Sequence, residues 1–330
     1  MIRIGILGAA KIAPKAVIRP ALKREDCRIV AVAARDPARG AAYAAEHGIP
    51  HVADSYEALI ARSDVDLVYN ALPPHRHADL SIAALYAGKA VLCEKPFAMN
   101  ATEAEAMVEA AAKTGLPLME AFHYRFHPAF LRVLGIVRSG HLGRIQSMEA
   151  DFSVTIPYRD GELRHTLETG GGALMDLGCY PLHMVRTLAG AEPSVASAEC
   201  RCERPGVDLS THARLNFPDG VTASVMTSMA EGVTRRAQVH VDCTEGSLTY
   251  VNAVQPYPSH SIKVHLKDKT LKEQVPGATT YDHQLAHVMD VLAGRDTPQT
   301  GGADAVGNMR MIDAIYRAAG LAPRGAEAAS

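Results

Sequence analysis

Met1-Ile2-Arg3-Ile4-Gly5-Ile6-Leu7-Gly8-Ala9-Ala10-Lys11-Ile12-Ala13 opens the chain. Ile2–Leu7 is a short apolar run, the text of a strand buried on both faces. A turn of small residues follows, and then a helical stretch over Lys11–Leu22. Pro14 falls in its first turn, where a missing N–H costs little. Strand, small-residue turn and helix in this order make the dinucleotide-binding fingerprint. The fingerprint wants Gly at the tight turn, a small residue where backbone nears pyrophosphate, and another where helix packs on strand. Gly8, Ala10 and Ala13 stand at those places. Ala10 replaces the usual second Gly and adds a methyl group facing the phosphates. The helix start still offers N–H donors to an anion, so Gly8, Ala10, Lys11 and Ile12 are candidate cofactor contacts. The plainer reading, a small-residue turn in an ordinary α/β domain, loses ground to the second strand that follows.

Working outward, strands and helices alternate. Arg28–Ala34 is a second apolar run and Pro37–His47 a second helix. Leu67–Leu72 and Ala90–Cys93 read as strands, with a helix over Arg76–Ala87 between them. Ala101–Thr114 is a helix capped by Asn100 or Thr102, and Leu116–Phe122 is a further strand. Such alternation predicts a parallel sheet covered on both faces. The period changes near residues 122–125. A helix over Pro128–Arg138, a long strand over Gly143–Ile156 and a helix over Gly172–Leu188 follow. From Pro193 to Gln274 the text is strand and turn, with strands at Leu209–Asn216, Thr222–Met229, Arg236–Cys243 and Ile262–Leu266, which predicts antiparallel pairing. Helices over Tyr281–Leu292 and Ala303–Ala319 close the chain, and the small polar tail after Pro323 is expected to fray.

Composition narrows the function classes. The 330 residues carry a net charge of −2, no Trp and 5% aromatics, so neither nucleic acid nor an anionic membrane is an expected partner. No apolar run is long enough to span a bilayer, and the N-terminus lacks a signal-peptide pattern. Six scattered cysteines read as the reduced thiols of a cytoplasmic protein. The 15 histidines show no metal-ligand spacing beyond His75-Arg76-His77, so no metal is expected.

The end of the second strand selects the cofactor. A carboxylate there bonds the ribose hydroxyl of NAD, whereas Arg accommodates the 2′-phosphate of NADP. Arg35 directly follows the apolar run and Arg39 lies one turn into the next helix, while Asp36 is placed to cap that helix. NADP is therefore expected over NAD.

Two further clusters carry chemistry. Glu94-Lys95-Pro96 ends a strand, where ligands of open α/β sheets bind. Gly170-Gly171-Gly172 opens a helix on which Asp176, Tyr180 and His183 are spaced i, i+4, i+7, sharing one face. Three titratable groups on an otherwise apolar helix need partners.

These stretches, with Leu72-Pro73-Pro74-His75-Arg76-His77, Ala87-Gly88-Lys89 and Tyr124-Arg125-Phe126-His127-Pro128, resemble the Gfo/Idh/MocA oxidoreductase family along nearly the whole chain. The resemblance implies a Rossmann domain over residues 1–122. It also implies a C-terminal α+β domain over 123–330, with a large, mostly antiparallel open sheet that serves substrate binding and oligomerisation. A nicotinamide cofactor is implied, with Leu72, Pro73, His77, Glu94, Lys95, Pro96 and Arg125 among its contacts. Tyr180 stands where inositol-dehydrogenase-like members carry His. The chain therefore looks more like the branch of glucose–fructose oxidoreductase, dimeric dihydrodiol dehydrogenase and NADP-dependent D-xylose dehydrogenase. Pro74 departs from the Asn usual at its turn.

Hydride transfer to or from a carbinol carbon needs a group that moves the hydroxyl proton. Tyr180 is the candidate acid/base, Lys95 its cationic partner, and Asp176 an orienting group. Arg164 and His183 are added as candidate substrate contacts, which suits a sugar, polyol or cyclic trans-diol. A ketosugar or imine reductase, a hydrolase using NAD as a redox catalyst, and a non-catalytic NADP(H) sensor are the alternatives. If the far face of the C-terminal sheet is apolar, a homodimer or tetramer is its expected cover.

Overall fold

The computed structural model describes residues 1–267 and 269–326. The chain divides into two compact units. One is Met1–Phe122 with Tyr281–Val306, and the other is His123–Thr280 with the stretch from Gly307 on.

The first unit holds six strands: β1 (Ile2–Leu7), β2 (Cys27–Ala33), β3 (His51–Ala53), β4 (Leu67–Asn70), β5 (Ala90–Cys93) and β6 (Leu118–Glu120). Their order is β3-β2-β1-β4-β5-β6, and every neighbouring pair is parallel. This is the doubly wound order, with its topological switch between β1 and β4. β4 and β5 are buried at every residue, which is why they read as unbroken apolar runs. Asp36 caps the helix Pro37–His47 by accepting from Ala38 and Arg39 N–H, and Asn100 caps Ala101–Thr114. The helix Thr280–Leu292 sends Leu285, Val288 and Met289 into the same core as Ile4, Ile6, Val32 and Leu67. The helix expected over Lys11–Leu22 is shorter, a wide π turn at Pro14–Ile18 running into Arg19–Ala21.

The second unit holds eight strands: β7 (Ile145–Ser153), β8 (Ser194–Arg204), β9 (Val207–Asn216), β10 (Thr222–Ser228), β11 (Arg236–Cys243), β12 (Gly246–Val251), β13 (Ser261–Leu266) and β14 (Lys269–Glu273). Their order is β14-β13-β12-β11-β7-β10-β9-β8. All pairs are antiparallel except β7 with β10. Ala223 and Val225 on β10 and Ala237, Val239 and Val241 on β11 are buried, and the helix Cys179–Ala189 lies on β7, β10 and β11. The alternate residues of these strands are half-buried or exposed, and most are polar. His212 there meets Ser224, and His240 bridges Thr249 and Asp242. Along β10 and β11 that face is mostly polar.

The expected fraying after Pro323 is corrected at Arg324, which is 1% exposed. Its guanidinium donates to Asp208 Oδ1 at 2.8 Å and to the Gly171 carbonyl at 2.7 Å. Asp208 also accepts from the Tyr316 and Thr211 hydroxyls and from Leu174 N–H, each at 2.8 Å. A buried carboxylate with four donors is a satisfied one. Gly172 sits against this cluster at φ +136°, where a Cβ would lie 2.1 Å from Asp208 Oδ1, so only glycine fits. Among the described residues, no helix is long and apolar enough to cross a membrane.

Candidate active site

In the first unit the turn after β1 is built tightly. Gly8 has φ +98° and its N–H donates to the Ala33 carbonyl at 2.8 Å. A Cβ there would come within 3.0 Å of Leu72 Cδ2, and the positive φ is what favours glycine. Arg39 Nη2 donates to the Ala9 carbonyl at 2.9 Å, and the Tyr43 hydroxyl to the Ala10 carbonyl at 3.0 Å. The turn is thus tied to the second helix by two donors one helical turn apart. Burial pushes the Tyr43 hydroxyl up to about 12, so it remains a donor at neutral pH. Sequence reading missed Tyr43, although its i+4 spacing from Arg39 was the available signal. A cleft of about 430 Å³ opens beside the turn, lined by Ala9, Lys11, Lys15, Arg19, Arg39 and Tyr43 among others. Arg35 is exposed just past the end of β2.

The strand ends that carry the remaining predicted contacts are organised by buried polar groups. Asn70, the last residue of β4, donates to the carbonyls of Arg76 and His77 and to the Ser81 hydroxyl, and accepts from Leu72 N–H. His77 is fully buried. Its Nδ1 lies 2.9 Å from the Pro96 carbonyl and its Nε2 2.7 Å from the Leu72 carbonyl. The ring therefore lies between the Leu72-Pro73 segment and the Glu94-Lys95-Pro96 segment and, when neutral, donates to one of the two carbonyls. The Tyr69 hydroxyl donates to Glu94 Oε1 at 2.5 Å, and Lys95 N–H to Glu94 Oε2 at 3.3 Å.

Burial lowers the His77 pKa from 6.5 to about 4, against the pull of the carbonyls it faces. Protonation is therefore easier in the unfolded chain than in the folded one. The stability this group contributes is fully present above about pH 6.5 and is lost as pH falls towards 4. The expected loss is about 3 kcal/mol. Urea melts between pH 7.5 and 4 should fall more steeply for the wild type than for His77→Gln. Equal slopes would remove His77 as the cause.

In the second unit, the predicted regular helix over Gly172–Leu188 is corrected. A π turn at Leu174–Gly178 precedes the α-helix Cys179–Ala189. Gly178 is pressed between Leu174 and Thr227, where a Cβ would meet Leu174 Cδ1 at 2.8 Å and Thr227 Cγ2 at 3.0 Å. Such wide turns interrupt the simple i, i+4, i+7 register, so Asp176 stands in the wide turn and Tyr180 and His183 on the α-helix.

The structure pairs Asp176 with Arg164, whose Nε donates to Asp176 Oδ2 at 2.7 Å and whose Nη1 donates to Glu162 at 3.0 Å. Asp176 is the first cause holding the Arg164 guanidinium above its usual pKa. Tyr180 is 4% exposed, and its Oη lies 3.1 Å from His123 Nε2. His183 is 1% exposed, with Nδ1 hydrogen-bonded to the Tyr124 hydroxyl. The Tyr124 and Tyr180 ring centroids are 5.9 Å apart, and Phe152 meets Tyr180 edge-on. Arg125 places its guanidinium 5.7 Å from the Phe130 ring centroid. His123 and Tyr124 were not singled out from the sequence for this pairing. The only local signal was a polar pair directly after the apolar Ala121-Phe122.

Two family models match the chain. "Oxidoreductase family, NAD-binding Rossmann fold" covers residues 2–122, and "GFO/IDH/MocA C-terminal domain" covers residues 130–249. The chain is 35% identical to D-xylose 1-dehydrogenase (NADP(+)) 2 of Haloferax volcanii, over 96% of each chain. It is 33% identical to a dTDP-3,4-didehydro-2,6-dideoxy-α-D-glucose 3-reductase of Streptomyces antibioticus, over 96% of this chain and 97% of that one. Its fold is similar to the 3-ketoreductase KijD10 of Actinomadura kijaniata, crystallised with NADP and TDP-benzene. The TM-score is 0.89 at 28% identity, over 96% of this chain and 97% of that one.

Proposed function

The chain belongs to the Gfo/Idh/MocA oxidoreductase family, and from that premise we propose that it is an NADP(H)-dependent dehydrogenase or reductase. Its substrate would be a carbinol or carbonyl carbon of a sugar or a related polyol or diol. The observation that carries this reading is Tyr180, a buried phenol on the helix that follows the glycine run, whose Oη lies 3.1 Å from the His123 imidazole. A phenol in that setting has a proton to give or take and little other reason to be polar there.

The first unit suits the cofactor by its own geometry. At Gly8, φ +98° is a conformation that side-chain-bearing residues rarely adopt, as the tight turn of a dinucleotide site needs. The helix start after Gly8-Ala9-Ala10, with Lys11 and Ile12, suits the pyrophosphate. Arg35, with Arg39 and Lys11, suits a 2′-phosphate. Leu72, Pro73, Glu94, Lys95 and Pro96 belong to the strand ends where the nicotinamide end of such cofactors binds. Bound NADP(H) supplies or accepts the hydride.

The chain's own residues handle the proton. Tyr180 passes it to the substrate oxygen in the reducing direction and removes it in the oxidising one. Tyr has a reference pKa of about 10, so the phenolate needs stabilisation near neutral pH, and Lys95 is assigned as its cationic partner. The Arg164–Asp176 pair presents a fixed donor and acceptor for substrate hydroxyls, with His183 as a further contact.

The test begins with the cofactor. Fluorescence titration should give tight NADPH and weak NADH binding. Arg35→Ala should raise the NADPH dissociation constant about 10- to 100-fold and leave that of NADH unchanged. A preference for NADH in the wild type would overturn the cofactor assignment. Aldoses and trans-diols with NADP+, and dTDP-linked ketosugars with NADPH, then test the substrate class.

A further inference from the structure

We propose that His123 is the positioning residue of Tyr180: it keeps its proton on Nε2, donates it to Tyr180 Oη, and so holds the phenolate left when Tyr180 gives up its own proton. This rests on the acid/base reading of Tyr180. His123 is 3% exposed, its Nε2 lies 3.1 Å from Tyr180 Oη, and the two ring centroids are 5.7 Å apart.

The direction of the hydrogen bond follows from what the phenol must do. Tyr180 has one hydroxyl proton. If that proton were committed to His123, it would not be directed at a substrate oxygen. With the imidazole as donor, the phenolic proton is not committed to His123, and the oxygen that loses it keeps a hydrogen bond to its new charge. In the reducing direction the Tyr180 O–H bond breaks and the substrate oxygen gains the proton. The phenolate, still accepting from His123 Nε2–H, is reprotonated from solvent, and the electron pair that reduces the carbonyl carbon is the hydride that bound NADPH would supply, leaving NADP+. In the oxidising direction the phenolate takes the hydroxyl proton back.

The placement is fixed at two points. His123 and Tyr124 are neighbours in sequence, and their partners Tyr180 and His183 lie one turn apart on a single helix. The Tyr124–His183 hydrogen bond therefore sets the backbone from which His123 reaches Tyr180. A buried imidazole hydrogen-bonded to a catalytic phenol also restricts the phenol's rotation, which acts on turnover more than on substrate binding.

The experiment compares His123→Met, His123→Gln and His123→Asn, each alone and with Tyr180→Phe. Kinetics are measured with the best sugar substrate, and folding is followed by urea melts. His123→Met should lower kcat about 10- to 100-fold, with KM and the NADPH dissociation constant each within about threefold of wild type. Gln can place an amide near the Nε2 position and should restore most of the loss, whereas the shorter Asn should not. In the Tyr180→Phe background, none of the three should lower kcat further. Unchanged kcat in His123→Met, or a further equal loss on top of Tyr180→Phe, would overturn the proposal. If the Met variant does not fold, the Gln and Asn pair decides: equal kcat in the two would overturn it. Near-normal turnover in Tyr180→Phe alone would instead sink the acid/base reading, and the two failures are told apart by that single variant.

Discussion

Replacing Tyr180 by Phe is expected to lower the turnover number roughly 100- to 10,000-fold while NADPH still binds with near wild-type affinity. The variant removes one oxygen from a ring that is 4% exposed and packed edge-on against Phe152, so the ring contacts survive. What is lost is the group proposed to move the proton, which is also the partner of His123 Nε2. Loss of the His123–Tyr180 hydrogen bond costs stability on the order of 1–3 kcal/mol, so turnover should be read at a temperature where urea melts report the folded state. The KM for the sugar should move far less than kcat, because the phenol's interaction strengthens as charge develops on the reacting oxygen. A kcat within a factor of three of wild type would return Tyr180 to the rank of a buried packing residue.

The second large effect is on stability. Asp208→Ala is expected to cost about 3–5 kcal/mol, read as a fall in the urea midpoint. The substitution strands four donors at once: the Arg324 guanidinium, the hydroxyls of Tyr316 and Thr211, and Leu174 N–H. The guanidinium dominates, since its side chain is 1% exposed and it would lose the Asp208 carboxylate. Arg324→Met should cost a similar amount by leaving the Asp208 carboxylate short of its cation. A loss below 1 kcal/mol for either variant would mean that water enters and solvates the stranded group. The cluster also bears on the site, because Leu174 begins the turn that leads to Tyr180 and the Gly171 carbonyl accepts from Arg324.

The parallel sheet was legible because burial on both faces writes continuous apolar text, as β4 and β5 do. β8 was not separable as a strand. Along Ser194–Arg204 it is an edge strand with scarcely a buried residue, so it carries neither a run nor an alternation. β3 is three residues long, too short for any period. At the site, Asp176, Tyr180 and His183 were legible as a set, since polar residues on an apolar helix stand out. The π turn beneath them was not, because it goes with Gly178 packing on Thr227, a contact set by the sheet. His123 was hidden for a similar reason: its meaning comes from a partner 57 residues away. Arg324 was misread because a lone Arg in a small, polar tail looks solvated, and its partner lies 116 residues earlier. Local pattern reports burial well, and it reports long-range polar partnership poorly.

The crossing of the chain between its two units has a consequence for synthesis. A ribosome releases residues in order, and Met1–Phe122 emerges long before the helix Thr280–Leu292 whose Leu285, Val288 and Met289 complete its core. The nascent first unit thus carries an uncovered apolar patch through translation of the entire eight-stranded sheet. That sheet in turn waits for Tyr316 and Arg324 before Asp208 has its full set of donors. Neither unit has its full set of native contacts before its late segment is made, which leaves apolar surface uncovered on the growing chain.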